Sequence, residues 1–365
     1  MRPITTRIVS AAFLLMLILP PLSILLPASA TEIENRPIEF PEVTGDRLFD
    51  LGFYRQAFAY VRDANPVRTA LIRAATSLDF SVFDDSPNPT RVFKGSDDWL
   101  FFRETIDQGC SAPPDVVAKN LQSFVARLVQ DVETVVVTVP PSKYTIHPEQ
   151  MTPAQFRLTE CARNASDRLR AHMADWSFEH YVDSWTLFTQ AKADGMQPYF
   201  RTDTHFTFEA SIGWMKALID EIGPFWDESA TRNEGPIDFD GNLMTFLALT
   251  MPERVDHHVV RREVTMDVDT SLPGRATRYR LSGGDDVALV PGRTIIIGDS
   301  FMVIPEPSLV QYFEDATVLD WRQPDAVDYF FAQAPSADTV IVEVSELDIW
   351  QLFGDDGLLD RYPGS

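Results

Sequence analysis

Short, uninterrupted runs of apolar and β-branched residues recur along this chain, and amphipathic segments separate them. The runs are continuous rather than alternating, which is typical of strands buried on both faces of a parallel sheet. Between them, apolar residues recur at helical spacing. Strands are predicted at 133–139, 178–182, 293–297, 316–319 and 339–344, and helices at 153–176, at 207–222 and from Pro114 onward. This alternation predicts an α/β domain with a mostly parallel sheet.

Composition narrows the class of protein. The chain has 365 residues, of which 45% are hydrophobic, enough for a packed core rather than intrinsic disorder. There are 31 Lys and Arg against 54 Asp and Glu, so the net charge is -23. Because a protein that binds a phosphate backbone needs a basic surface, we expect no nucleic acid partner.

The first thirty residues have the pattern of an export signal. Two arginines precede an apolar run at 8–26, and Ala-Ser-Ala at 28–30 is a small-x-small cleavage pattern. The run is also long enough for an uncleaved membrane anchor, although two prolines within it favour cleavage. We therefore predict that 1–30 is a signal peptide or a signal anchor, which would associate the chain with the inner membrane. In either case the rest of the chain is exported.

Changes of pattern divide the remainder. Residues 31–90 carry helical periodicity and end in a proline-containing turn cluster, which predicts an N-terminal helical extension. The α/β pattern defines the main domain at 91–350. Within it, 232–290 is less regular and is expected to hold an insertion or a small β element. Residues 351–365 are left as a C-terminal tail.

Export would bring the two cysteines, Cys110 and Cys161, into an oxidising compartment. Two cysteines in an oxidising compartment most often pair, so we predict a disulfide between them. The alternative is a pair of buried free thiols. Neither cysteine lies in a metal-ligand spacing, and we expect no metal site there.

The sharpest local motif is Gly298-Asp299-Ser300-Phe301, directly after the predicted strand at 293–297. A serine at the carboxyl end of a sheet strand stands where ligand sites form in α/β proteins. Gly298, Asp299 and Phe301 are candidates to build the turn, and backbone N–H groups near the serine are candidates to stabilise an oxyanion. The alternative is an ordinary turn, since Gly, Asp and Ser are the commonest turn residues.

His205 is the strongest candidate base among six histidines, with His147 as the other. It follows Asp203 by two residues in an extended segment, where residues i and i+2 face the same side. Asp203 is then placed to orient the ring and to stabilise its charged form. Two alternatives stay open. Asp203 and Thr207 could be turn and N-cap residues only, or Asp203 and His205 could be metal ligands, for which no third ligand is evident.

Together these motifs make the chain resemble the periplasmic alginate O-acetyltransferases of the AlgJ/AlgX type, which have an SGNH-hydrolase-like domain. Ordinary SGNH hydrolases place the serine motif near the start and Asp-x-x-His near the end. Here Asp-x-His precedes the serine, as it does in this family. The similar segments lie at 33–41, 92–101, 139–143, 147–149, 201–207 and 298–301.

The resemblance implies a three-layer α/β fold, an enzyme and a place in the periplasm. It implies that Ser300 is the acyl nucleophile, His205 the general base and Asp203 the acid that orients it. It also implies an exopolysaccharide acceptor, a membrane-bound O-acyltransferase that supplies the acetyl group, and no cofactor.

The chain departs from the family pattern in places. Pro305 and Pro307 follow the serine closely, so a helix after it must be short or begin late. Leu347 stands where the resemblance predicts Arg, in the acidic segment 343–347. No carbohydrate-binding module is expected after that segment.

Other candidates concern substrate binding. Lys143 follows a predicted strand and is a candidate to contact an anionic sugar, or is a surface lysine. Trp99 and Trp185 are candidates to stack on sugar rings, although buried tryptophans are commoner. Arg201 is expected either to pair with Asp203 or to bind a carboxylate. An anionic polymer such as alginate would meet a repulsive average field, so it would need a local basic groove, first of all Arg201 and Lys143.

The sequence is compatible with three functions. The first is transfer of an acetyl group through Ser300 to a sugar hydroxyl of an exopolysaccharide. The second is a secreted esterase that passes the same group to water. The third is a non-catalytic scaffold in polysaccharide secretion. The identity of the polymer, alginate, cellulose or another, stays open.

Overall fold

The computed structural model describes residues 43–44, 50–63, 66–284, 286–355 and 358. The predicted signal segment 1–30 lies outside the described residues, as does most of the predicted tail. Within the described part of the chain, no helix is both long enough and apolar enough to cross a membrane.

The secondary structure is mixed. The helices are α1 (Leu51–Asp63), α2 (Pro66–Ser81), α3 (Arg103–Gln108), α4 (Pro114–Asp131), α5 (Lys143–Ile146), α6 (Pro153–Leu158), α7 (Glu160–Ala174), α8 (Ser184–Ala193), α9 (Phe208–Ile222), α10 (Asn242–Phe246), α11 (Glu306–Leu309), α12 (Pro324–Gln333) and α13 (Ile349–Leu352). The strands are β1 (Val92–Lys94), β2 (Leu100–Phe102), β3 (Thr134–Thr138), β4 (Tyr181–Val182), β5 (Thr231–Phe239), β6 (Glu253–Val260), β7 (Val264–Asp269), β8 (Thr277–Gly283), β9 (Val290–Gly298), β10 (Phe313–Asp320) and β11 (Thr339–Glu343).

The chain divides into two compact units. The larger comprises 95–241 and 252–365, and the smaller comprises 1–94 and 242–251. The division at residue 94 lies close to the predicted boundary at residue 90. Residues 242–251 group with the smaller unit, although the predicted main domain included them. Within that unit, Asn88 donates to the carbonyl of Phe246 at 3.3 Å, a long-range contact that no local pattern reveals.

A seven-stranded sheet forms the centre of the larger unit, in the order β4-β3-β11-β9-β10-β8-β7. The first five strands are parallel. β8 runs antiparallel to β10, and β7 runs antiparallel to β8 and so in the direction of the first five strands. The predicted α/β fold with a mostly parallel sheet is confirmed. β9 and β11 lie inside the sheet, which explains why their sequences are continuously apolar rather than alternating.

Helices cover both faces of this sheet. On one face, α4, α7 and α12 pack against Val135, Ile295 and Val340 in the main core cluster. On the other, Trp214 of α9 donates to the Thr138 hydroxyl at 3.4 Å at the end of β3. The arrangement has three layers, helices–sheet–helices.

Two features of the larger unit differ from the sequence-based prediction. The helix expected at 153–176 is two helices, α6 and α7. Thr152 and Gln155 form a capping box that begins α6, and Thr159 leaves helical geometry between the two. The irregular region 232–290 contains the antiparallel pair β5–β6 and the strands β7 and β8 that extend the main sheet. β5 is largely exposed and contains Gly and Pro, so its sequence lacks a strand pattern.

Cys110 and Cys161 form a disulfide, as predicted, across a sequence separation of 51 residues. Replacing both cysteines with serine is expected to lower the free energy of unfolding by about 3–4 kcal/mol, because the open chain gains entropy when unfolded. Urea unfolding of parent and double variant measures the difference. Reductant should destabilise the parent and leave the variant unchanged, and a loss below about 1 kcal/mol would contradict this expectation.

Candidate active site

Ser300 lies at the carboxyl end of β9, the strand between β11 and β10. The strand ends at Gly298, and Ser300 opens a 3₁₀ turn that Asp299 caps by accepting the N–H of Phe301 at 2.9 Å. The next helix, α11, has only four residues and begins after Pro305, as the prolines predicted. The serine is half-buried and stands at the edge where parallel strands of α/β proteins present their ligand sites.

The turn around Ser300 is fastened to the end of β11. The Asp299 carboxylate also accepts the N–H of Ser345 at 2.8 Å, and the Asp299 N–H donates to Glu343 Oε2 at 2.8 Å. A Cβ on Gly298 would lie 2.5 Å from the same Glu343 oxygen, so only glycine fits there. The N–H groups of Asp299 and Phe301 are therefore bonded to protein carboxylates. They build the turn and are not available to an oxyanion, which corrects that part of the prediction.

His205 and Asp203 form a short hydrogen bond. His205 Nδ1 lies 2.6 Å from Asp203 Oδ1, and the His205 N–H donates to the same oxygen at 2.9 Å. Both side chains are buried, with Asp203 3% and His205 8% exposed. A carboxylate at Nδ1 selects the tautomer with the proton on that nitrogen, which leaves Nε2 as a proton acceptor.

The His205 ring lies against the serine motif. His205 Nε2 is buried and has no hydrogen-bond partner among the described residues. The His205 ring packs edge-on against the ring of Phe301, with centroids 5.0 Å apart. Phe301 directly follows Ser300, so this ring contact places the predicted base next to the turn that carries the predicted nucleophile.

Metal binding is the remaining alternative for the Asp203–His205 pair. Within the described part of the chain, no group of three or more His, Cys, Asp or Glu side chains could hold a metal ion. Thr207, the other residue in that alternative, caps α9 by accepting the N–H of Ala210 at 3.2 Å. Thr207 thus has the capping role, whereas Asp203 contacts the histidine ring.

The predicted substrate residue Lys143 has a different environment from the one expected. Its ammonium donates to the carbonyls of Leu100 at 2.6 Å, Arg201 at 2.8 Å and Asp203 at 2.9 Å. The side chain is only 5% exposed. All three donors are used on backbone carbonyls, so none is left for an anionic sugar. Lys143 is neither a surface lysine nor placed for direct sugar contact.

Arg201 pairs with Glu253 rather than with Asp203. Arg201 Nε lies 3.5 Å from Glu253 Oε2, and the guanidinium side chain is 43% exposed. Glu253 also accepts the backbone N–H groups of Arg201 and Thr202, each at 3.1 Å. No local pattern marks Glu253, which lies in the region predicted to be irregular.

Two further predicted candidates are buried. Trp99 packs against His147 with ring centroids 4.4 Å apart and the rings tilted, and it is too deeply covered to stack on a sugar. Trp185 belongs to the main core cluster. Burial lowers the pKa of His147 to about 4, and Lys192 lowers it further while Glu149 raises it. His147 is therefore a packing residue that stays neutral at physiological pH.

Carboxylic acids with raised pKa values lie at and just after the end of β11. Burial and the neighbouring Asp299 raise the pKa of Glu343 well above its usual range. Burial raises the pKa of Glu346 to about 7, although hydrogen bonds from Ser142 and others lower it. Burial and Asp299 raise the pKa of Asp348 to about 7 as well. Within the segment 343–347, singled out by resemblance, Glu343 and Ser345 thus hold the turn that carries Ser300.

Glu346→Gln is expected to make stability less dependent on pH. A carboxyl whose pKa is higher in the folded than in the unfolded state contributes stability at pH values below its unfolded-state pKa. That contribution is lost as the pH rises through the folded-state pKa, which is about 7 for Glu346. For Glu346 the loss is on the order of 3 kcal/mol, because one pKa unit corresponds to about 1.4 kcal/mol. Gln cannot ionise and keeps an acceptor for the Ser142 N–H.

Urea unfolding near pH 5 and pH 8 measures this effect. The parent should lose more stability between the two conditions than Glu346→Gln does. Glu160→Gln, at an exposed position of α7, is the matched control and should behave like the parent. Equal pH dependence in all three proteins would contradict the expectation.

The chain matches a family model described as "SGNH hydrolase-like domain, acetyltransferase AlgX" over residues 92–276. The chain belongs to this family. The match confirms the resemblance drawn from the motifs, and it includes Asp203 and His205 but ends before Ser300. SGNH-like acetyltransferase is therefore the class of the chain at family level. Comparison with curated proteins finds no match.

Several solved structures are similar to this one. Bacillus cereus PatB1 with a sulfonyl adduct has 14% identity and a TM-score of 0.46, covering 71% of this chain and 97% of that one. The O-acetyltransferase domain of Pseudomonas putida AlgJ has 18% identity and a TM-score of 0.44, covering 74% and 98%. Pseudomonas aeruginosa AlgX has 14% identity and a TM-score of 0.45, covering 76% and 65%.

Proposed function

We propose that this SGNH-like acetyltransferase moves an acetyl group through an acyl-enzyme on Ser300 to a hydroxyl of an exopolysaccharide. The observation that carries the proposal is the 2.6 Å Asp203–His205 hydrogen bond, which leaves Nε2 as acceptor on a ring that packs against Phe301, the residue after Ser300. A serine nucleophile needs this base and this orienting acid.

The reaction has two balanced steps. Ser300 Oγ attacks the acetyl carbonyl while His205 Nε2 takes its proton, and the leaving group of the donor departs with that proton. A sugar hydroxyl then gives its proton to Nε2 and attacks the acyl-enzyme, and Ser300 Oγ recovers the proton as the ester bond to the enzyme breaks. The Asp203 carboxylate stabilises the imidazolium that forms in each step.

The proposal includes the setting of the reaction. The signal pattern at 1–30 places the enzyme in the periplasm, soluble or anchored to the inner membrane. A membrane-bound O-acyltransferase supplies the acetyl group, as the resemblance implies. No cofactor is part of the proposed reaction.

The charges near the site favour an uncharged polymer over a polyuronate. Lys143 is buried with its ammonium fully bonded, and Arg201 faces Glu253. The two cations that we expected to form a basic groove are therefore matched within the protein, while the whole chain carries a charge of -23. An anionic acceptor would meet a repulsive field here.

The test incubates the purified protein with a chromogenic acetyl ester and with cello-oligosaccharides or oligomannuronates as acceptors. Acetylated sugar in the mass spectrum, lost in Ser300→Ala, supports transfer, and a larger yield on the neutral acceptor supports the charge argument. Acetate release that no acceptor changes would mean an esterase. No turnover with either ester or acceptor would point to the scaffold function.

A further inference from the structure

The loop that carries Asp203 is held between two buried, oppositely charged side chains. On one side, the Glu253 carboxylate accepts the N–H groups of Arg201 and Thr202 and the Thr202 hydroxyl, the last at 2.9 Å. On the other, the Lys143 ammonium bonds the carbonyls of Arg201 and Asp203. Glu253 comes from β6 and Lys143 from α5, so two separate elements fix one short loop.

The same ammonium ties the loop to the rest of the domain. Its third bond goes to the carbonyl of Leu100 in β2, and the Leu100 N–H donates to the Arg201 carbonyl at 2.8 Å. Lys143 also lies over the rings of Trp99 and Phe101, at 5.2 and 5.5 Å from their centroids. A buried ammonium with three carbonyl partners fixes the position of each of them more strongly than neutral bonds would.

We infer that Lys143 and Glu253 are positioning residues for the Asp203–His205 pair, which they hold in register with Ser300. The inference rests on the proposed function and adds residues that neither the motifs nor the family description assigns. Because a displacement near 1 Å at a reacting group can cost about 100-fold in rate, loss of either anchor should lower kcat far more than it changes KM.

The protonation of Lys143 gives this role a measurable signature. Burial lowers the pKa of Lys143 to about 7, and Glu253 and Asp203 act against that shift while Arg201 adds to it. His147 is the remaining titratable group that interacts with the ammonium, and it stays neutral. A neutral amine has two donors for three carbonyls. Turnover should therefore fall as pH rises through about 7, on the alkaline side of the profile.

The experiment measures kcat and KM for the chromogenic acetyl ester from about pH 5 to pH 9 in parent, Lys143→Met and Glu253→Gln. Lys143→Met should lower kcat about 10- to 100-fold near pH 6, leave KM within about threefold and lack the alkaline limb. Glu253→Gln should lower kcat about tenfold and move that limb to lower pH, since it removes a charge that raises the pKa of Lys143.

Lys192→Met is the matched control. Lys192 donates to the carbonyl of Ile146, at the other end of α5, and pairs with Glu149. The substitution therefore removes a similar lysine that does not contact the Asp203 loop. Its pH profile should equal that of the parent. Circular dichroism checks the fold of every variant. If Lys143→Met does not fold, Glu253→Gln and the Nδ1 proton resonance of His205 carry the test.

The outcomes separate the two levels of the argument. Parent-like kcat in Lys143→Met, or an alkaline limb that neither variant shifts, overturns the positioning role even when Ser300→Ala is inactive. Parent-like activity in Ser300→Ala overturns the proposed function itself. A reduced kcat with the altered limb in both variants, and an unchanged Lys192→Met, supports the inference.

Discussion

Ser300→Ala is expected to lower kcat for acetyl transfer by about 10⁴- to 10⁶-fold, the range seen when the nucleophile of a serine triad is removed. Alanine deletes the oxygen that would carry the acyl group and leaves the Asp299 turn intact, because the Ser300 hydroxyl makes none of its bonds. The bonds that hold the turn run from Asp299 to Phe301 and Ser345 and from Glu343 to Asp299. The variant should therefore fold like the parent, and KM should change little.

Mass spectrometry makes this prediction specific. The parent, quenched during turnover of an acetyl ester, should carry an acetyl group on the peptide that contains Ser300, and the variant should not. Ser271→Ala is the control, at an exposed position after β7 that is not part of the site. An acetylated Ser300→Ala protein, or a loss of kcat smaller than about 100-fold, would exclude Ser300 as the nucleophile.

The sequence was informative where a local pattern reports burial directly. The three residues before Gly298 are all isoleucine because β9 lies between two parallel neighbours, and the end of this run marks the edge of the sheet where the serine stands. The ribbon β5–β6 was predicted only as an insertion or a small β element without defined strands, for the opposite reason. It lies outside the main sheet, much of β5 faces solvent, and its residues follow no clear period.

The site shows the same contrast between local and tertiary information. Asp203 and His205 are two residues apart, so their hydrogen bond follows from chain geometry alone. Lys143 meets the Asp203 loop across a separation of 60 residues, and Glu253 meets Thr202 across 51. Only the tertiary fold determines such contacts. A lone lysine or glutamate therefore looks like a surface residue in the sequence, and the structure shows each one buried.

The availability of backbone donors also depends on the fold. From the motif alone, the N–H groups beside Ser300 were candidates for an oxyanion hole. The structure shows that two of them are bonded to carboxylates, one on the same turn and one on β11. A sequence does not show which of several N–H groups a distant carboxylate reaches, so this part of the site is known only from the three-dimensional structure.

Asp203→Asn is expected to lower kcat about 10³- to 10⁴-fold with little effect on the fold. An amide has nearly the same shape as the carboxylate, but the His205 N–H and Nδ1 both meet the one oxygen Oδ1 of Asp203. With the amide oxygen at that position both bonds persist, and the imidazolium loses its counter-charge. With the NH₂ group there, the ring proton moves to Nε2, which can then no longer take the proton of Ser300.

Asp203→Ala and His172→Ala are compared with Asp203→Asn. The three variants distinguish the effect of Asp203 on the charge of His205 from its effect on the shape of the loop. Asp203→Ala removes both the ring bond and the backbone bond, and it should lower stability as well as kcat. His172→Ala, at an exposed position on α7, should match the parent in both. If Asp203→Asn keeps kcat within about tenfold of the parent, Asp203 shapes the turn before α9 and the base acts without it. A loss near 10³-fold at unchanged stability assigns the carboxylate to the charge and tautomer of His205.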